Sequence, residues 1–278
     1  WEPFNDGAPG EYRSTRTYSN LGGRPEQTNV LGNFGDSMVP LHGYHFLGDL
    51  RSDNPYWNVS EKVGSQDYVY CGPGIYYDPE SGRIHARLAH TTLPGLADDN
   101  YRGETDPRRL PLVVAGFEGG SPLKLQGAQW VRLEDLVLRG AREATLTLDD
   151  CRHIELAGLT IYGGSSAVNI RDTWGLRVVD TACRGIAAPW TFRGSLKYRA
   201  IEARIFSASR WDPTGQDSRD FEIAYSEFTD CVDGVFLGNV ANVRFHHNLL
   251  DNVSDDGLFF TAGTAYDGTT PGGGAQVY

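Results

Sequence analysis

Val131–Val179 reads VRLEDLVLRGAREATLTLDDCRHIELAGLTIYGGSSAVNIRDTWGLRVV. Within it Val131, Ile154 and Leu176 each open a short apolar run, at steps of 23 and 22 residues. Read outward, the same set continues at Arg199, Phe221 and Val243, with steps of 23, 22 and 22. A second set holds Leu123/Leu125, Leu146/Leu148, Val168/Ile170, Val235/Leu237 and Leu258/Phe260. Its steps are 23, 22, 67 and 23, and 67 is read as three coils of about 22. Two sets that keep step over this distance mark an internal repeat. The runs are short and alternate, and Gly interrupts every window of helical length, so the repeat is built from strands.

A unit of this length with two or three strands and no helix excludes a leucine-rich repeat, whose consensus is absent. A coil of a parallel β-helix fits: each coil adds one strand to each of several parallel sheets, ~4.8 Å above the previous one. Inward positions then form apolar columns, as Val131, Ile154 and Leu176 would. Corners favour residues that tolerate left-handed backbone, which places Gly127, Asp150, Asp172 and Asn239 at one corner and Gly140, Gly163 and Gly185 at another. The expected architecture is an all-β solenoid of about six coils over residues 111–278. Residues 1–110 are expected to be irregular and loop-rich, with a hairpin where Ile75-Tyr76-Tyr77 and Ile84–Leu88 flank Asp78-Pro79-Glu80-Ser81-Gly82.

Composition narrows the function. Twenty-five Lys and Arg against 36 Asp and Glu give a net charge of −11, the wrong sign for a protein that neutralises nucleic-acid phosphates. No apolar run approaches the ~20 residues of a membrane span. The chain opens at Trp1, so its start does not reveal a compartment. Cys71, Cys151, Cys183 and Cys231 lack CxxC spacing and paired His, which argues against zinc; buried thiols or one disulfide remain.

Asp233-Gly234-Val235-Phe236-Leu237 and Phe245-His246-His247-Asn248-Leu249-Leu250-Asp251-Asn252, within the repeat, resemble the right-handed parallel β-helix (pectin-lyase-like) superfamily over residues 111–263. The resemblance implies right-handed winding and a secreted or extracellular (or periplasmic) protein that acts on a polysaccharide. The final coil is followed by Gly-rich Thr269–Gly274 with no amphipathic cap, so a further segment or a partner chain is expected to cover the C-terminal coil.

The repeat also indicates which side chains stack. Two residues before each strand of the second set lies the column Ser166, Ala188, Trp211, Asp233, Asp256; one residue earlier lie Arg210, Val232 and Asp255. Carboxylates one rung apart disfavour joint ionisation, which is how one remains a general acid beside an ionised partner. An indole offers a flat apolar surface to a sugar ring. Val253-Ser254-Asp255-Asp256-Gly257-Leu258, with Asp233-Gly234 one coil earlier, is similar to the motifs of polygalacturonase-type glycoside hydrolases. That similarity implies Asp256 as general acid and Asp233 with Asp255 as activators of water in an inverting hydrolysis; Trp211 and Arg210 would bind the sugar. No cofactor is called for. Corner structure and Ca²⁺ binding are the alternative roles of the same carboxylates.

Two further readings stand beside this one. Between Arg184 and Arg219 seven basic and three acidic residues give +4, and Lys197, Tyr198 and Arg199 could neutralise a uronate and take its α-proton, the chemistry of a polysaccharide lyase. A non-catalytic adhesin or structural solenoid is the other. His246 and His247, in one strand, are expected to point one in and one out, stacked or hydrogen-bonded, with His247 the candidate substrate contact. Asn248 opposite Ser226 suits a polar ladder. Asn58-Val59-Ser60 and Asn252-Val253-Ser254 match the glycosylation sequon.

Overall fold

The computed structural model describes residues 1–19, 21, 30–35, 37–54, 68–92, 99–116, 120–186, 188, 190, 204–208, 218–238, 240–261 and 274–278. The chain forms two compact units, Trp1–Gly119 with Ile186–Glu202, and Gly120–Gly185 with Ala203–Tyr278.

The first unit is more regular than its sequence suggests. Seven strands form one sheet in the order Glu2–Pro3, Glu11–Arg13, Arg83–Arg87, Gly74–Asp78, Met38–Tyr44, Val30–Asn33, Leu112–Val114. All neighbours are antiparallel except Met38–Tyr44 with Gly74–Asp78. The expected hairpin is present, with Tyr77 opposite Ile84 and a left-handed Gly82 in its turn. Leu112–Val114 pairs inside this sheet, so the repeat's sheets begin at Leu123 and not at 111. Trp190 packs edge-on against Tyr101 at 4.8 Å and seals this unit's core. Gly72, at φ +105°, lets it in: a Cβ there would fall 2.5 Å from the indole.

The second unit is three parallel sheets stacked as in a β-solenoid. Sheet I holds Leu123–Gln126, Ala144–Asp149, Ser166–Arg171, Arg204–Ala208, Asp233–Gly238 and Leu258–Thr261. Sheet II holds Gln129–Glu134, Arg152–Ala157, Trp174–Val179, Arg219–Ala224, Ala241–His246 and Ala275–Val277. Sheet III holds Val137–Leu138, Thr160–Tyr162, Ala182–Arg184, Glu227–Cys231 and Leu249–Val253. Val131, Ile154 and Leu176 lie in register, as do Leu123, Leu146 and Val168. Their side chains, with Phe206, Phe221, Phe228, Val235 and Val243, fill one apolar core; each fully buried large side chain contributes about 1.5–3 kcal/mol.

One part of the coil count is corrected. Leu176 pairs directly with Phe221, 45 residues on, so the rung expected at Arg199 does not exist. Likewise Val168 pairs with Phe206 and Phe206 with Val235, so the 67-residue step spans two coils. The physical reason is an enlarged coil, part of which, Ile186–Glu202, belongs to the first unit. Its extra length is close to one coil and mimics one.

Corners and faces show what fixes the register. Gly127, Asp150 and Asp172 have positive φ, as expected for their corner. Asn239 lies outside the described residues, and of the other trio only Gly140 is left-handed. A buried polar ladder runs through the corner between sheets II and III. Thr181 Oγ1 accepts from Leu159 N at 3.4 Å, Ser226 Oγ from Thr181 N at 3.2 Å, and Asn248 Oδ1 from Ser226 N at 2.9 Å. The expected pairing of Asn248 with Ser226 is therefore present. Outside sheet II, Arg132, Glu155, Arg177, Glu222 and Arg244 alternate in sign rung by rung, each linked to the next at 2.5–3.3 Å. All four cysteines are buried thiols, none of them in a disulfide.

Candidate functional site on sheet I

Asp233 opens a strand of sheet I, and the next rung is zipped onto it through backbone hydrogen bonds. Ser254 N donates to Cys231 O (3.0 Å), Asp255 N to Val232 O (2.9 Å), Gly234 N to Asp256 O (2.8 Å) and Val235 N to Gly257 O (2.9 Å). With Val235 opposite Leu258, this register stacks Asp256 on Asp233, one strand spacing apart. Gly234 is required for that close approach, because a Cβ there would sit 2.2 Å from Gly257 O. Asp256 is exposed, and Asp233 and Asp255 are partly exposed.

The residue beneath Asp233 is Arg204, and Ser166 lies beneath Arg204. The column is thus Ser166, Arg204, Asp233, Asp256, with Arg204 in the place beside Asp233 that the repeat predicts for Trp211. Trp211, Arg210, Lys197 and Arg199 lie outside the described residues, as do Asn58 and Ser60. Arg204 Nε stands 3.9 Å from Asp233 Oδ2, and its guanidinium lies over the Phe236 ring at 4.1 Å. Phe236 in turn stacks on Phe259, with centroids 4.8 Å apart and planes 13° apart. The outer face of sheet I at these rungs therefore joins two carboxylates, a cation and a two-ring aromatic stack.

Arg204, Phe236 and Phe259 were missed from the sequence. The two Phe residues carried a usable signal, since they are 23 apart, the same step as Asp233 and Asp256. Arg204 carried none, because the enlarged coil hides its rung.

His247 is not brought to this site. It lies at the corner between sheets II and III with φ +55°, just beyond the strand ending at His246. Neither His points inward: His247 is exposed, and the His246 Nε2 lies 3.5 Å from Glu222 on the outer face. Left-handed backbone at His247 turns the chain before it reaches an inward position. The two rings meet at Nδ1–Nδ1 2.9 Å, His246 stacks on Tyr278 and His247 on Tyr225.

The first unit has its own chemistry-bearing features. Fully buried Glu11 accepts from Arg51 Nε and Nη2, both at 2.8 Å, and from Ala8 N at 2.8 Å, and contacts His85 Nδ1 at 2.7 Å. Burial alone would raise its pKa; the hydrogen bonds from His85, Arg51 and the Ala8 amide outweigh burial and hold it at about 2. A cavity of about 490 Å³, lined by Trp1, Arg16, Tyr18 and Leu112 among others, also belongs to this unit, and none of the solenoid aspartates lines it. Among the described residues no three His, Cys, Asp or Glu side chains group as metal ligands, and no helix is long and apolar enough to cross a membrane.

Comparison with known proteins finds no matching family model, no similar curated protein and no similar solved structure.

Proposed function

We propose that the second unit is a right-handed parallel β-helix of the pectin-lyase-like type, acting outside the cytoplasm on a polysaccharide by hydrolysis of a glycosidic bond. Asp256, the more exposed carboxylate, donates a proton to the leaving oxygen, and Asp233 with Asp255 activates the attacking water. The observation that carries this reading is the stacking of Asp256 on Asp233 beside an outward aromatic stack. Glycoside hydrolysis uses a pair of carboxyl groups at the scissile bond, and a flat aromatic surface beside them suits the face of a sugar ring. Arg204 offsets the Asp233 charge and orients it, while Phe236 and Phe259 offer ring faces to the sugar. They stand beside the sugar-binding role proposed for Trp211 and Arg210, which lie outside the described residues.

The test is Asp256→Asn on the full chain, with a panel of linear plant, algal and microbial glycans. Reducing ends and near-ultraviolet absorbance are both read. The parent is expected to release reducing ends without absorbance, and the variant to lose about 10²–10⁴-fold in turnover with an unchanged circular dichroism spectrum. Unchanged turnover ends the assignment. Ultraviolet-absorbing unsaturated products would replace it with β-elimination.

A further inference from the structure

We propose that the leading edge of sheet II is a second, non-catalytic binding stripe for a linear uronate-containing glycan. Two adjacent columns form it. The register places Gln129, Arg152, Trp174, Arg219 and Ala241 in one column. Beside them stand Trp130, His153, Gly175, Asp220, Asn242 and Gly274, every one with left-handed backbone, at φ 57°, 54°, 69°, 59°, 54° and 79°. Gly, Asn, Asp and His are residue types that accept this geometry. Trp130 is not, yet its side chain there is 76% exposed. A bulky aromatic held in a strained backbone and turned to solvent adds little to the core, and strain of this kind gathers at binding surfaces.

The surroundings make Trp130 a plate instead of a loose ring. It stacks on His153 at 3.9 Å with planes 13° apart. The next rung carries Gly175, where a Cβ would fall 2.9 Å from His153 Nδ1. In the neighbouring column Trp174 lies between the guanidinium groups of Arg152 at 4.3 Å and Arg219 at 3.7 Å. Arg152 has a holding role, since it also bonds Cys151 O and Asp172 O and pairs with Asp150 at 3.1 Å. Exposed Arg219 holds its guanidinium over the indole at 3.7 Å, and a guanidinium is the side chain best suited to pair with a carboxylate. Exposed Arg171 stands at the end of the adjoining strand of sheet I. The nearby acids have protein partners: Asp149 faces Lys124 at 4.0 Å, and Asp220 accepts from Asn242 at 2.6 Å.

Trp130 and Arg219 are three rungs apart, about 14 Å along the stack, comparable to an extended trisaccharide. An open indole face at Trp130 for the C–H face of a sugar ring, and the exposed Arg219 guanidinium for a carboxylate, define a uronate-containing chain as the ligand. The proposal rests on the hydrolase reading only in its choice of a glycan; the stripe is on sheet II and the aspartates are on sheet I.

Hexagalacturonate and cellohexaose are titrated calorimetrically into the full-length Asp256→Asn protein, alone and combined with Trp130→Asn or Arg219→Ala, at low and moderate salt. Asn suits the left-handed position, as Asn242 does, so Trp130→Asn removes the indole and keeps the backbone. Hexagalacturonate is expected to bind, and Trp130→Asn to weaken it about tenfold. Arg219→Ala is expected to weaken hexagalacturonate and flatten its salt dependence while leaving cellohexaose unaffected. In the chain with Asp256 intact, Trp130→Asn leaves turnover of short oligosaccharides unchanged. Absence of hexagalacturonate binding, or equal affinity in parent and both variants, overturns the stripe. Loss of affinity in Trp130→Asn with no turnover by the parent would retain the stripe and discard the hydrolase.

Discussion

Glu11→Gln should make the first unit both weaker and less acid-sensitive, and the structure sets the size of the effect. The Glu11 carboxylate is fully buried between Arg51 and buried His85. Its folded pKa of about 2 lies below the ordinary value of 4.5. At 1.36 kcal/mol per pH unit, that gap is worth about 3 kcal/mol. The folded pKa is the depressed one, so the contribution is complete above about pH 4.5 and is lost as pH falls towards about 2. Gln keeps the shape but supplies one acceptor instead of two and turns an amide N–H₂ towards a cation. Arg51 keeps 31% of its side chain exposed, which holds the loss to the lower end of the about 3–5 kcal/mol for breaking a buried ion pair. Hydrogen exchange, normalised to intrinsic rates and followed in the strands Glu11–Arg13 and Arg83–Arg87, is the assay. At pH 7 the variant should lose about two orders of magnitude in protection, and the gap should close near pH 2. Equal protection at pH 7, or a gap that persists in acid, would refute the reasoning.

Gly234→Ala should separate the Asp233 and Asp256 rungs, because its Cβ would lie 2.2 Å from Gly257 O; glycan turnover should fall with Asp256→Asn, and full turnover would contradict the register. Glu222→Gln removes the acid shared by Arg177, Arg244 and His246 on an exposed face. It should cost no more than about 1 kcal/mol, shrinking as salt is raised in thermal melts. The four thiols are buried, and burial pushes Cys183 up to about 12. An aromatic disulfide reagent should therefore titrate none rapidly in the native protein and four after denaturation; fewer than four would reveal a disulfide.

The stacked parallel sheets were legible because the inward columns repeat at 22 or 23 residues, and Val131, Ile154 and Leu176 sit in register as read. Periodicity measures length alone, however. An excursion about as long as a coil is indistinguishable from a coil, so a count by period alone predicts a rung at Arg199 and places Trp211 beside Asp233. Asp233 and Asp256 were paired correctly because no insertion separates them. Beyond its Gly74–Asp78/Arg83–Arg87 hairpin, the first unit was illegible for a different reason. Its strands are short and pair across long sequence separations, and buried Glu11 depends on Arg51 and His85, 40 and 74 residues away. No local pattern encodes such a partner.

The ladder of alternating charge outside sheet II has a consequence for how this molecule can change in size. Opposite signs face each other on neighbouring rungs, so the pattern on that surface repeats only every second turn of the backbone. Duplicating or deleting a single interior turn would set arginine against arginine or glutamate against glutamate. Duplications of two turns would splice in without such conflict, so lineages that lengthen or shorten this rod are expected to do so in even steps.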